Sequence, residues 1–222
     1  MKKITFIAVT AGLLTTSTAN AFDDIYTVGI MAGTTGAGLE ASWRFHQNFS
    51  VTANYAGGLS YDSEYDTDEV DYDGDIDLQA GAVKFDYFPF GGRFYLTAGA
   101  ALPDMTASVT GTPNVGGTYD FNGNTYTAAN VGSVTGELTI ADSVQPYLGL
   151  GWRSSNKTGF GFFSELGVFS TDIQVDLSTS TGLENNWPAL QSDIRAEEER
   201  LEEDADALSV YPVATFGVSY TF

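Results

Sequence analysis

An all-β chain, closed as an eight-stranded antiparallel transmembrane β-barrel with long outer loops, is predicted by three observations. Apolar residues alternate with small or polar ones in segment after segment, which sorts side chains onto the two faces of strands. These segments number eight, an even count of the kind found in single-chain bacterial barrels. Beyond Ala21 no run approaches the ~20 apolar residues of a spanning helix, although 14% of the residues are aromatic and 25 are glycine.

The elements follow in order. "MKKITFIAVTAGLLTTSTANA" carries Lys2 and Lys3, an apolar run from Ile4 to Leu14 and the small-x-small triplet Ala19-Asn20-Ala21. This is the plan of a signal peptide, residues 1–21, preceding a single barrel domain, residues 22–222. "VGIMAGT" supplies the first strand. Leu39, Ala41, Trp43 and Phe45 alternate with Glu40, Ser42 and Arg44 in the second. The third sets Phe49, Val51, Ala53, Tyr55, Gly57, Leu59 and Tyr61 on one face. Val83, Phe85 and Tyr87 alternate with Lys84 and Asp86, and Phe94, Leu96, Ala98, Ala100 and Leu102 with Tyr95, Thr97, Gly99 and Ala101. "VQPYLGLGW" and "GFGFFSELGVFS" give the sixth and seventh strands, the latter with Phe163, Glu165 and Phe169 on its inner face. "YPVATFGVSYTF" gives the eighth, expected to pair with the first.

The connections alternate in length. "HQN", "PFGG" and "SSNKTG" are short, whereas Asp62–Asp77, Asp104–Asp142 and Ser178–Leu208 are long; "TTGAG" breaks the rhythm. Tight periplasmic turns and longer outer connections fit a barrel in an outer membrane. Closure is obligatory there, because each unpaired backbone group in hydrocarbon costs several kcal/mol. In the third outer connection Asn122-Gly123 suits a type I′ hairpin turn. In the fourth, "NNWPALQSDIRAEEERLEEDADAL" reads as a helix capped by Asn186, with Pro188 in its first turn. Leu190, Ile194, Leu201 and Leu208 form its apolar stripe, opposite Glu197, Glu198, Glu199, Glu202, Glu203, Asp204 and Asp206. The stripe is expected to lie across the barrel mouth or, equally, to pack on the other loops.

"QPYLGLGW", "GFFSELGVF", "FYLTAGAALPDM", "GTTGAGLEASWRF", "FNGNTY" and the closing "YPVATFGVSYTF" together resemble CarO-type outer-membrane proteins, small barrels related in style to OmpW. The resemblance covers nearly the whole chain after Ala21. It implies an outer-membrane location and passage of ornithine or other basic amino acids, with carbapenem passage also proposed for the family. The terminal Phe222, preceded by Tyr220 and Val218, resembles the tag read by the barrel-assembly machinery.

Candidate chemistry sits in two places. The inward positions include Glu40, Arg44, Lys84, Asp86 and Glu165, with Arg153 near the periplasmic end. An eight-stranded barrel is only wide enough for side chains to fill, so these charges form an ionic plug or, alternatively, a narrow relay in which Glu40 and Glu165 admit a small cation. The second place is "YDSEYDTDEVDYDGDIDL". Asp62, Glu64, Asp66 and Asp68 share one face, and Asp71, Asp73, Asp75 and Asp77 another, which attracts divalent cations or bridges them to lipopolysaccharide. Counted from Glu69, the run resembles a calcium loop at Asp71, Asp73, Gly74 and Ile76, but Ala80 stands where a bidentate Glu is required. No dedicated metal site or cofactor is expected.

Cleavage after Ala21 leaves seven basic residues against 29 acidic ones, a formal charge of −22. Nucleic acid is therefore an unsuitable partner. The chain has no cysteine and one histidine, His46, in the turn "FHQN", at the wrong end of the barrel for a triad at the outer rim, and no enzymatic role is expected. Two functions stay open: a porin-like transport channel for small cationic solutes, and a closed barrel whose acidic loops meet cations, lipopolysaccharide or external partners.

Overall fold

A computed structural model describes residues 25–66, 70–113, 117–154, 157–205 and 209–222; the expected signal peptide, Asp68, Asp206 and Leu208 lie outside the described residues. Strands β1 (Ile25–Gly33), β2 (Gly36–His46), β3 (Phe49–Asp66), β4 (Val70–Tyr87) and β5 (Phe94–Pro113) form an antiparallel meander. Next come a hairpin, β6 (Thr118–Phe121) and β7 (Asn124–Thr127), and one helical turn, α1 (Ala128–Val131). Then follow β8 (Val134–Ala141), β9 (Gln145–Arg153), β10 (Gly159–Ser170), β11 (Gln174–Thr179), α2 (Pro188–Ala205) and β12 (Val210–Thr221). The ring runs β1-β2-β3-β4-β5-β9-β10-β12, and β12 returns to pair with β1 from Thr221 opposite Thr27 to Thr215 opposite Gly33. Eight strands thus close without an edge. No helix among the described residues is long and apolar enough to cross a membrane.

The exterior is a lipid-facing belt. Val28, Ile30, Leu39, Val83, Leu96, Leu148, Leu150, Leu166, Phe216 and Val218 are all exposed on the outside, where water would be a poor neighbour for so much contiguous apolar surface. Aromatic rings gather at the short-turn end: Tyr26 stacks on Trp43, Phe49 on Tyr87, and Tyr220 packs edge-on against Phe160 and Phe222. These form one interfacial girdle. Phe49 to Gly57, tilted as barrel strands are, rises roughly 20 Å, most of an apolar band about 25 Å tall.

Above the belt the structure departs from the expected loops. The outer stretches are mostly strand. β3 and β4 continue as a ladder to Asp66 opposite Asp71, and the upper half of β5 leaves β9 to pair with β8, which pairs with β11. A wall of five strands, β3-β4-β5-β8-β11, therefore stands above the bilayer on one side. On the other side the β1–β2 turn ends the sheet low, with Gly33 opposite Gly36.

A bulge at Gly57-Gly58, where Gly58 adopts φ 77°, shifts the register between Ala56 and Leu59. One extra residue reverses the faces of everything beyond it. Leu59 and Tyr61, expected to face lipid, instead share the inner face with Leu78 and Ile76; Asp62 and Glu64 move outward, opposite Asp75 and Asp73. The two acidic faces expected separately are thus a single outer face. The first position of the calcium-loop resemblance, Glu69, lies outside the described residues; Asp71, Asp73, Gly74, Ile76 and Ala80 lie on the extended strand β4 and do not curl into a loop.

The helix also has a definite place. Leu190 and Ile194 are buried with Phe121, Tyr126 and Val131, against Val134 and Leu177, forming a second small core within the outer structure. The helix packs on the hairpin and β11, the second of its two expected positions. Trp187, and not Asn186, immediately precedes it, and the Trp187 carbonyl accepts from Gln191 N–H. Asn122 and Gly123 have φ 50° and 76°, as the type I′ turn requires. β11 is the free edge of the wall, and α2 covers it: Glu202 accepts from Val175 N–H at 2.9 Å and Glu198 from Leu177 N–H at 2.7 Å. Carboxylates one helical turn apart match strand amides two residues apart, about 6 Å against about 6.8 Å. The acidic helix silences an edge that would otherwise template pairing.

Candidate functional site in the barrel lumen

Alternation carries Glu40 and Arg44 of β2, Lys84 and Asp86 of β4, Arg153 of β9 and Glu165 of β10 into the lumen, and all six are buried. Three cations meet three anions there, so the interior is formally neutral. Glu40 and Arg153 reach across from opposite sides of the ring to bond at 2.8 Å. Lys84 Nζ meets Glu165 Oε1 at 2.6 Å from strands three positions apart. Arg44 lies with its guanidinium 3.9 Å over the Phe88 ring and donates to the carbonyls of Gln47 and Gly91. It stoppers the periplasmic end.

Hydroxyls complete the network. Tyr147 OH donates to Glu165 Oε1 at 2.6 Å and Tyr95 OH to Oε2 at 2.9 Å, so Glu165 accepts three hydrogen bonds and has one cation beside it. Ser50 and Thr52 both donate to Asp86 Oδ2, at 2.7 and 2.6 Å. Sequence reasoning missed Tyr95, Tyr147, Ser50 and Thr52. An inward tyrosine reads the same as a belt tyrosine until parity is known; the usable signal was the glycines on the neighbouring strands. A Cβ on Gly151 would sit 2.2 Å from the Tyr95 ring, and one on Gly167 2.2 Å from Tyr147 OH. Inward glycines are the sockets for these rings.

Toward the outside an apolar layer closes the bore: Ala101, Met105, Ala141, Tyr147, Phe169 and Val213 are buried together. The free space beside it, bounded by Met31, Asn54 and Thr215, is about 20 Å³, room for about one water. Among the described residues the lumen holds its charge in fixed pairs.

The acidic run lies elsewhere. Asp62, Glu64, Asp71, Asp73 and Asp75 are on the outer face of the wall, far from these pairs along the strands, and Asp66 is placed by its backbone opposite Asp71. One rung reads Asp62, Asp75, Ser108, Glu137, Asp176 across five strands. Ser108 Oγ donates to Asp75 at 3.2 Å. His46 stays in the periplasmic turn, where its Nδ1 accepts from Asn48 N–H.

Closed ring, apolar belt, aromatic girdle and filled interior define the class: a small outer-membrane β-barrel protein. Within that class the chain is similar to two crystal structures from Acinetobacter baumannii, CarO2 and CarO. The TM-scores are 0.56 and 0.55 at 22% and 23% identity, covering 89% and 88% of this chain and 98% and 97% of theirs. At these identities the likeness is one of fold, and it agrees with the CarO-type resemblance of the strand motifs. No protein-family model and no curated protein matches the sequence.

Proposed function

We propose that the protein is a closed barrel that holds an acidic, partly helical structure above the outer membrane, where it meets divalent cations, lipopolysaccharide or external partners. The observation that carries this reading is the occluded lumen: two cross-barrel ion pairs, a triply hydrogen-bonded Glu165 and an apolar layer above them. The work is then done outside. Like charges stand directly opposite at Asp62/Asp75 and Glu64/Asp73, a pairing that repels in the bare protein and favours cations between the wall and anionic lipid. Insertion in the cell is assigned to the barrel-assembly machinery, on the resemblance of the closing Val218, Tyr220 and Phe222 to the tag it reads.

A second reading, passage of small cationic solutes such as basic amino acids, is favoured by unspent polar capacity in the lumen. Asp86 Oδ1 and Arg153 Nη1 are buried without a protein partner among the described residues, and an incoming ammonium would compete with Lys84 for Glu165. Uptake of labelled lysine into proteoliposomes separates the two. The closed reading expects flux equal to protein-free vesicles; lysine uptake lost in Glu165→Gln would overturn it.

A further inference from the structure

The outer structure contains a site that neither the barrel nor the acidic wall explains. The β6–β7 hairpin, α1 and the start of α2 surround an open cleft of about 360 Å³, lined among others by Asn124, Tyr126, Thr127, Asn130, Trp187 and Asp193. Its floor is rigid. Asp193 accepts from Tyr126 OH at 2.5 Å, from Asn124 Nδ2 at 2.9 Å and from Asn122 Nδ2 at 3.4 Å, and the small core of Phe121, Val131, Leu190 and Ile194 lies beneath. The cleft is therefore formed before any ligand arrives, which lowers the entropy cost of binding.

Its lining has a specific chemistry. Trp187 is 38% exposed and meets the Tyr126 ring edge-on at 5.5 Å. The other two tryptophans, Trp43 and Trp152, lie on outward strand positions near the short turns, where lipid accounts for their exposure; Trp187 sits on the outer structure, where lipid does not. Around this ring the hydroxyl of Thr127, the amide of Asn130 and the indole N–H of Trp187 have no hydrogen-bond partner among the described residues. Asn124 gives its amide to Asp193 and keeps its carbonyl free. An aromatic face bordered by neutral donors and acceptors matches a pyranose ring, which offers C–H groups on one face and hydroxyls at its rim. The one charged group in the lining, Asp193, is a carboxylate, so uronic acids and phosphosugars are disfavoured.

We propose that this cleft binds a neutral pyranose, with Trp187 against its C–H face and Asn124, Thr127 and Asn130 on its hydroxyls. The sugar belongs either to the cell's own surface polysaccharide or to a glycan met from outside. The test uses the full chain in lipid nanodiscs, with Trp43→Phe and Trp152→Phe so that Trp187 alone reports. Methyl glycosides of glucose, galactose, mannose and N-acetylglucosamine are titrated, with glucuronate as the acidic contrast. The expected result is a saturable fluorescence change with at least one neutral sugar, Kd on the order of 1–10 mM, and at least tenfold weaker binding of glucuronate. Asn130→Ala, which leaves the small core intact, is expected to weaken binding at least tenfold. Oligosaccharide released from the cell's own lipopolysaccharide and mucin glycans then distinguish the two sources, and saturable binding of either supports the site. Silence with every neutral sugar and both oligosaccharide pools overturns the proposal, as does binding unchanged in Asn130→Ala.

Discussion

Removing Lys84 tests the lumen most sharply, because it strips the cation bonded to Glu165 while leaving both tyrosine donors in place. At 2.6 Å and an effective dielectric of about 20, the pair attracts by about 6 kcal/mol. Desolvation of both groups offsets part of this, and breaking a buried pair by removing one partner costs roughly 3–5 kcal/mol. Lys84→Met, close in volume, is therefore expected to lower the unfolding free energy by that amount, a factor of roughly 150 to 5,000 in the equilibrium. Glu165→Gln should cost a similar amount, since it strands the ammonium. The double variant removes both charges and should lose at least 2 kcal/mol less than the two singles combined. Urea unfolding of the barrel in lipid vesicles, followed by its heat-modifiable gel mobility, supplies all four values. Single losses under about 1 kcal/mol, or additivity within about 0.5 kcal/mol, would refute a structural pair.

Three further outcomes follow from other parts of the molecule. Gly151→Ala should destabilise by about 1–3 kcal/mol through overpacking against the fully buried Tyr95 ring, whereas Gly92→Ala, whose added Cβ meets nothing nearer than 3.9 Å, should be close to neutral on the same assay. The hairpin clamp depends on pH at both extremes. The Tyr126 hydroxyl, and then Asn122 and Asn124, hold the Asp193 carboxyl below its ordinary 3.8, so this stabilisation is present above pH 3.8 and is lost as pH falls through the lowered value. Tyr126, bonded to Asp193, is pushed up from 10.0 to about 12, so its share is complete below pH 10 and lost toward 12. Trp187 fluorescence should be flat between these limits, and a transition near neutrality would contradict the clamp. Finally, Glu198→Ala with Glu202→Ala should speed hydrogen exchange at the Val175 and Leu177 amides by tenfold or more, each having lost a bond to a charged acceptor of about 1.5–3 kcal/mol; unchanged protection would mean that the edge is closed by other means.

The barrel was legible because lipid outside and side chains inside impose one period on every strand, as Phe216/Gly217/Val218/Ser219 shows in miniature. The six lumen charges could be placed inward by counting alone. Their partners could not be read, since a pair such as Glu40–Arg153 joins strands on opposite sides of the ring, and no local spacing encodes that crossing. Parity was lost where the backbone broke it. Gly57-Gly58 sits mid-pattern, and glycine inside a strand is the usual mark of a bulge, but the apolar identities of Leu59 and Tyr61 continued the lipid-facing rhythm across it. The branching of β5 between β9 and β8 was hidden for a different reason. A strand twenty residues long changes neighbour at Met105 without any change in its own alternation.

Closure of the barrel rests on fixed ion pairs under an apolar layer in the bore. Recording ionic current through the purified, refolded protein in a planar bilayer tests it most directly. Electrical silence at 1 M KCl is predicted (roughly a 3 Å Debye length, so surface charge cannot mask a pathway), for wild type and for Asp62→Asn alike. Sustained, cation-selective single-channel steps from the wild-type protein would contradict it.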